Sequence, residues 1–316
     1  MSHDPQAQGA PSVAMLILNY NGRDVTLQTL ESACCMDYGN VQVYVIDNGC
    51  TDDSVAAIEE RFPEVEHLHV HPNKGISWGL NHGIQHALEA EYDYLLLCNN
   101  DIEVAADMLT RMVEVAESDP TIGCVGPKSY YYSDRERLWS TGGWLRFRES
   151  ITKERGDGEL DRGQYDRDEE VDYVNGCAML VRREAAEAAG FWDPTYFLGI
   201  EDADFCVRLK RSGYRCFYAH RARLWHMISH SIGVYTPGRT FHTGRSSAIF
   251  VRKYARWHEW LSVAIWLGAA IPWAWLRELR RGNQSAATSK LRGFLEGLRV
   301  ELSPIPSHYP LAPRPR

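Results

Sequence analysis

Tyr92-Asp93-Tyr94-Leu95-Leu96-Leu97-Cys98-Asn99-Asn100-Asp101 is the stretch on which the reading of this chain turns. Leu95 to Cys98 is an apolar run bounded by polar residues. It predicts a short buried strand of the kind found in parallel sheets. The strand stops on two amides and a carboxylate. In open α/β sheets, ligands bind beyond the carboxyl ends of the strands, and a carboxylate there can hold a hard cation against a phosphorylated ligand. The plainer use of Asn-Asn-Asp is a turn, because these side chains bond their own backbone.

The upstream residues repeat the pattern. Val13–Leu18 is a second buried run, ending at Asn19-Tyr20-Asn21-Gly22. Val41–Ile46 is a third, ending on Asp47, and Asp53 or Ser54 can cap the helix after it. His67-Leu68-His69-Val70-His71 alternates as a strand before Pro72-Asn73-Lys74-Gly75, and a helix is expected over about 76–89. The three histidines would share one strand face. They suit either a metal cluster or plain alternation on a half-exposed strand. Strands alternating with helices at this spacing predict right-handed βαβ units and a mostly parallel sheet. The polar ends at Asn19, Asn21, Asp47 and Asp101 then converge on one sheet edge. A dinucleotide-binding domain would carry Gly-x-Gly-x-x-Gly after its first strand. Here that turn reads Asn-Tyr-Asn-Gly-Arg-Asp, and no phosphate loop of the Gly-Lys-Ser/Thr type occurs.

With 316 residues, 44% hydrophobic and 24% charged, the chain can bury a substantial core. Its eight cysteines contain no Cys-x-x-Cys pair, which disfavours a zinc ribbon or disulfide scaffold and points to a reducing compartment. Met1 to Ser12 is polar, so no secretory signal is expected. The net charge of −8 is uneven. From Arg245 onward there are 12 Lys/Arg against 4 Asp/Glu, leaving residues 1–244 at −16. An acidic body makes nucleic acid a poor partner, while a basic tail suits an anionic surface.

Downstream, helices are expected over about 105–117 and 183–189, the second closed by Gly190. Strands are expected over 122–127, 174–181 and 214–220. Residues 133–170 are charged and contain glycine, and read as a long mobile loop or an edge hairpin. Glu201, Asp202 and Asp204 open another helix, where capping and the dipole favour carboxylates. Residues 260–276 carry no charge but include Pro272, which interrupts the run. With Trp257, Trp260, Trp266, Trp273 and Trp275, and then Arg277, Arg280 and Arg281, they suit an interfacial or re-entrant membrane helix. A packing helix, or a contact in a homo-oligomer, is the competing use. Residues 303–316, with five prolines, read as an extended tail.

Taken in order, Leu18-Asn19-Tyr20-Asn21, Val45-Ile46-Asp47-Asn48 with Thr51-Asp52-Asp53-Ser54, Asn73-Lys74-Gly75 with Asn81-His82-Gly83, Asn99-Asn100-Asp101, Gly176-Cys177-Ala178-Met179-Leu180, Glu201-Asp202-Ala203-Asp204 with Arg208, and Trp225-His226 resemble a family-2 glycosyltransferase of GT-A fold. The resemblance covers about residues 12–250 and is strongest to rhamnosyl- and galactofuranosyltransferase-like enzymes of bacterial cell-surface glycan synthesis. It implies a mostly parallel α/β sheet flanked by helices over 12–250, followed by a helical membrane-proximal extension over 251–302 and the tail. It also implies a dTDP- or UDP-sugar donor, inversion at the anomeric carbon, a glycan or lipid-linked acceptor, and Mg²⁺ or Mn²⁺. The place of action would be the cytoplasm, peripheral at the inner face of the membrane.

Carried over by position, Asp47 resembles the residue that bonds the pyrimidine, and Asn19 a base- or ribose-contacting residue. Asn21, Asn73, Lys74 and Asn100 fall on the donor side. Asp101 matches the last acid of the DXD motif, His226 a histidine that can join it on the metal, and Asp202 the general base. Glu201, Trp192 and Gly176 fall on the acceptor side. Asn99-Asn100 departs from the acidic pattern and leaves fewer carboxylates for a metal. Displacement at a sugar carbon passes through an oxocarbenium-like state, and a positioned base contributes on the order of 10²–10⁴-fold. Two rivals stand beside this reading. A sugar-nucleotide nucleotidyltransferase would need a Gly-rich basic loop after the first strand. A donor- or glycan-binding scaffold without activity would fit the amides at 99 and 100.

Overall fold

The computed structural model of the chain describes residues 9–147, 151–227, 236–280, 284–302 and 304–309, with backbone alone at 266, 267, 270, 271 and 274. In order the elements are β1 (Val13–Asn19), α1 (Arg23–Ala33), β2 (Val41–Asp47), α2 (Ser54–Arg61), β3 (Glu66–His69), α3 (Ile76–Glu89), β4 (Tyr94–Asn99), β5 (Ile102–Val104), α4 (Met108–Glu117), β6 (Ile122–Tyr131) and β7 (Asp134–Ser140). They continue with β8 (Gly143–Leu145), β9 (Thr152–Glu154), β10 (Glu169–Val171), β11 (Ala178–Arg182), α5 (Arg183–Ala189), α6 (Glu201–Arg211), β12 (Arg215–His226), α7 (Pro237–Tyr254), α8 (Trp257–Arg280) and α9 (Gln284–Gly297).

The main sheet runs β10-β12-β6-β11-β4-β1-β2-β3. β1, β2, β3 and β4 are mutually parallel where they pair, and so are β6 and β12. β11 runs antiparallel between β4 and β6. The apolar runs serve two cores by strand alternation. Ala14, Leu16 and Ile46 face one cluster with Leu80 and Ile84 of α3 and Phe205 of α6. Val13, Met15, Ile17 and Val45 face the other, with Leu30 of α1 and Leu109 and Met112 of α4. A run apolar at every position is what a strand covered on both faces requires.

α6 is fastened to α7 by charge. Asp204, fully buried, accepts from Arg208 Nε at 2.9 Å and Tyr254 Oη at 2.7 Å, and pairs with Lys253, which also reaches Asp193 at 2.9 Å. Burial pushes the Asp204 carboxyl up, but Arg208 and Lys253 outweigh it and hold it below the usual range. α9 then lies on α7 through glycines. A Cβ at Gly293 would stand 1.9 Å from the Phe241 carbonyl oxygen, and one at Gly244 2.1 Å from that of Lys290.

Several expectations change. Of the two forms expected for residues 133–170, the hairpin is the one found and the loop is not: β7 pairs with β6, β8 with β9, and β10 with β12, while 148–150 lie outside the described residues. The strand expected over 214–220 continues to His226, with a register shift between Ala219 and Arg223. Asp53 precedes α2 but makes no side-chain cap; Asp52 instead accepts from the Ser54 amide and hydroxyl. Pro272 does not interrupt α8, which runs through it. The boundary expected at 250 falls inside α7. Of the tail, 304–309 is described and ends on Tyr309, buried against Trp78, His82 and Phe191; 303 and 310–316, like Arg281, lie outside the described residues.

Because fully buried Asp204 balances two largely covered cations, Arg208 and Lys253, Asp204→Asn should cost about 3 kcal/mol, read as a lower urea midpoint at unchanged slope. A loss below about 1 kcal/mol, the usual worth of an exposed pair, would mean that the cluster does not fasten α6.

Candidate active site at the carboxyl edge of the sheet

The parallel register sets the site. Asn19 of β1 stands opposite Asp47 of β2, and Leu18 opposite Asn99 of β4, so three strand ends finish level. Their polar residues then bond one another. Asn19 Oδ1 accepts from Asn100 Nδ2 at 3.1 Å and Thr26 Oγ1 at 3.0 Å, while its Nδ2 donates to Ser54 Oγ at 3.0 Å. Asn100 Nδ2 also donates to Thr26 at 2.8 Å. Asn19 is fully buried with its side-chain bonds made inside the protein. The expected ligand contact for Asn19 is therefore corrected to a framework role. Asn21, exposed and at φ +50°, bonds the Thr51 and Asp52 amides and so ties the first loop to the second.

Asp101 is held by what surrounds Asn100. Thr29 Oγ1 donates to the carbonyls of Asn100 and Ile102, and the Met227 amide donates to the Asp101 carbonyl at 2.8 Å. Pairing of Ile102 with His226 brings His226 Nε2 to 3.1 Å from Asp101 Oδ1. His226 Nδ1 is buried with no hydrogen-bond partner, and Trp139 meets the ring edge-on at 4.3 Å. One carboxylate oxygen and one imidazole nitrogen at this spacing fit a divalent ion that takes its other ligands from phosphate and water. Burial pushes the Arg239 guanidinium down while Asp101 pulls it back, placing a further cation in that field. The sequence reading missed Arg239.

The second carboxylate arrives across a single turn. The Asn99 amide donates to the Cys177 carbonyl, and the Gly176 amide donates to Asp202 Oδ2 at 2.9 Å. Gly176-Cys177 thus joins the end of β4, two residues before Asp101, to Asp202. A Cβ at Gly176 would sit 3.2 Å from the Trp192 ring and 3.6 Å from Asp202 Cβ. Trp192 is 1% exposed and forms the floor of this turn, which corrects its expected place on the acceptor side. Asp202, partly exposed, is pushed up to about 6 by burial, against the pull of the Gly176 and Ala203 amides. Glu201 is pushed to about 8 by burial and by Asp202, and its Oε2 has no hydrogen-bond partner.

Glu154 on β9 was also missed. It accepts from Tyr173 Oη at 2.7 Å and from Ser140 Oγ, and burial with the charge of Asp202 pushes it to about 7. A short charged segment rich in glycine gave no sign that one acid turns inward.

On the nucleotide side expected from sequence, Asp47 Oδ1 accepts from the Cys50 amide at 2.8 Å, and Oδ2 faces His69 Nδ1 at 3.2 Å and His71 Nε2 at 3.1 Å. The histidine trio is thereby corrected: Asp47, not His67, completes it. Asn73 Oδ1 accepts from the Gly75 amide, and Lys74 lies over Trp78 at 4.2 Å. Gly75 at φ +103° allows this turn, since a Cβ there would stand 2.6 Å from the Phe197 carbonyl oxygen.

Comparison with known proteins fits this geometry. A family model described as glycosyltransferase like family 2 matches residues 10–259. The N-acetylglucosaminyl-diphospho-decaprenol L-rhamnosyltransferase of Mycobacterium tuberculosis is 26% identical over 221 residues, 61% of this chain and 68% of that one. The poly-beta-1,6-N-acetyl-D-glucosamine synthase of Staphylococcus aureus is 24% identical over 223 residues, 70% of this chain and 51% of that one, so the chain spans about half of it. A mannosyltransferase from Pyrobaculum calidifontis, solved with GDP-Man and Mn²⁺, shares the fold at TM-score 0.59 and 16% identity, covering 92% of this chain and 88% of that one.

Removing the charge at 202 should reach its neighbours. In Asp202→Asn the Glu154 and Glu201 carboxyls should titrate lower than in the unaltered chain, followed by carboxyl ¹³C NMR, though burial keeps both above the usual range. Unmoved titrations would show that the three acids do not share a field.

Proposed function

The chain belongs to the glycosyltransferase-like family 2, and from that premise we propose that it transfers, with inversion, a sugar from a dTDP- or UDP-sugar to a hydroxyl of a cell-surface glycan or lipid-linked acceptor. The observation that carries this reading is the Gly176-Cys177 turn, which bonds Asp202 through its Gly176 amide and, through its Cys177 carbonyl, the end of the strand that leads into Asp101. One carboxylate sits with a histidine in a pair suited to a divalent ion. The other is raised toward neutrality and partly open, as a base must be to take a proton near pH 7. Two acids with separate environments are what separate roles require.

In this reading Asp101 and His226 hold Mg²⁺ or Mn²⁺, which when bound neutralises charge on the departing diphosphate. Arg239 supports the same charge from the start of α7. Asp47 meets the base at the far end, with Asn73 and Lys74 on the nucleotide edge. Asn21 holds the two loops between them, and Asn100 holds Asp101. Asp202 takes the acceptor proton, and Glu201 and Gly176 line its side. Inversion needs one displacement and one base, a role that suits the partly open Asp202 with backbone amides on both oxygens. The acceptor class draws on the names of the mycobacterial and staphylococcal relatives.

We assign α8 to a membrane-proximal extension of the catalytic unit. No described helix is long and apolar enough to cross a membrane. Trp257 is 77% exposed, Ile265 71% and Trp273 62%, and Arg277 and Arg280 follow. An apolar helix face ending in arginines suits the boundary of an anionic bilayer, so we place the enzyme at the cytoplasmic face as a peripheral protein. A second copy covering this face would instead make a homo-oligomer.

A panel of nucleotide sugars, assayed with and without Mg²⁺ or Mn²⁺, tests the function. One donor should be turned over with metal dependence, and the rate should fall as pH drops through about 6, where Asp202 takes up a proton. Asp202→Asn should keep donor binding and lose transfer by 10²-fold or more; unchanged turnover in that variant would remove Asp202 as the base. For the membrane face, replacing Trp257, Ile265 and Trp273 together by serine should abolish co-sedimentation with anionic vesicles. Sedimentation at the original level would place the contact elsewhere.

A further inference from the structure

The cluster at the far end of the sheet edge has a chemistry of its own. β2 and β3 pair with Asp47 opposite His69, which puts both side chains at neighbouring strand ends. His71, two residues further, closes over the same carboxylate. Asp47 Oδ2 lies 3.2 Å from His69 Nδ1 and 3.1 Å from His71 Nε2, and the three atoms lie within 4.8 Å of one another. Around a tetrahedral zinc ion, with bonds of about 2.0–2.2 Å, neighbouring donors are separated by about 3.3–3.6 Å. The two measured spacings are close to that edge.

We propose that Asp47, His69 and His71 form a transition-metal site of the zinc class, separate from the Asp101–His226 pair. Two imidazoles and one carboxylate are a zinc donor set, whereas Mg²⁺ prefers oxygen ligands. The supports behind the donors are in place. The Cys50 amide holds Oδ1 and leaves Oδ2 to face the rings, and the His67 ring stacks on His69 with centroids 6.3 Å apart. Burial pushes the Asp47 carboxyl up, but the Cys50 amide and the two histidines outweigh it, so the ligating form is present at neutral pH. His71 has 42% of its side chain exposed, which gives an ion an entry and water a fourth position.

The consequence for catalysis rests on the donor reading above, in which Asp47 meets the base. An ion on Oδ2 occupies the atom a base would use. Zinc and nucleotide then exclude one another, and zinc acts as a donor-competitive inhibitor while Mg²⁺ or Mn²⁺ works at Asp101.

Equilibrium dialysis of the untagged full chain against Zn²⁺ alone tests the site, with Co²⁺ substitution read by its visible ligand-field absorption. The unaltered chain and Asp101→Asn should each retain one zinc with four-coordinate cobalt spectra. His71→Ala should bind at least about tenfold more weakly while keeping its circular dichroism, since His71 is a surface residue. No retained zinc, or an unchanged affinity in His71→Ala, overturns the site and leaves a hydrogen-bonded triad. A UDP arm separates the two readings. UDP should weaken zinc binding as its concentration rises; zinc that binds through His71 but ignores UDP upholds the metal site and overturns the exclusion.

Discussion

The parallel register of β1 with β2 and β4 is the constraint on which the rest depends. Asn19 lies opposite Asp47, and Leu18 opposite Asn99. Three strands therefore surrender their last backbone bonds at one level, and the chain must satisfy the polar ends there. It does so with side chains. Asn19, Thr26, Ser54 and Asn100 bond among themselves in a buried network, and Thr29 serves the carbonyls on either side of Asp101. A buried network of this kind is worth having only when its members are satisfied. Asp101 follows directly from this network, between the two carbonyls that Thr29 holds.

The same network gives Asn100 a physical reason. Its amide nitrogen donates both to Asn19 Oδ1 and to Thr26. An ionised carboxylate can only accept, so an aspartate there would face the Asn19 oxygen with no proton between them. The amide in the Asn-Asn-Asp sequence belongs to the framework, and the weaker acidity of the motif is a consequence. What stands beside Asp101 instead is His226, delivered by a strand far along the chain.

The fold was legible because strands covered on both faces are apolar at every position, and each such run ended on polar residues. Asp101, His226 and Asp202 were legible through the family resemblance, and the structure brings the first two within 3.1 Å. What remained hidden depended on distant partners. Trp192 and Asn19 look available in sequence, yet each is consumed by packing or by hydrogen bonds from elements far along the chain. Glu154 sits among exposed charges and is set apart only by Tyr173 and Ser140. The alternation of His67, His69 and His71 suggested one strand face, whereas the neighbouring strand supplies the acid that unites two of them.

The opening of α6 shows how far environment outranks residue type. Glu201, Asp202 and Asp204 lie within four residues, and in sequence all three read equally well as helix-start acids. Successive residues on a helix turn by about 100°, so Asp202 and Asp204 face different neighbours. Asp204 turns to Lys253 and Arg208 and stays ionised as a fastening. Glu201 finds no partner for Oε2 and is driven to about 8. Asp202, between them, receives two backbone amides, too little to offset its burial and enough to keep it near 6. Three acids within four residues of one helix thus meet three different balances of burial, charge and backbone hydrogen bonds.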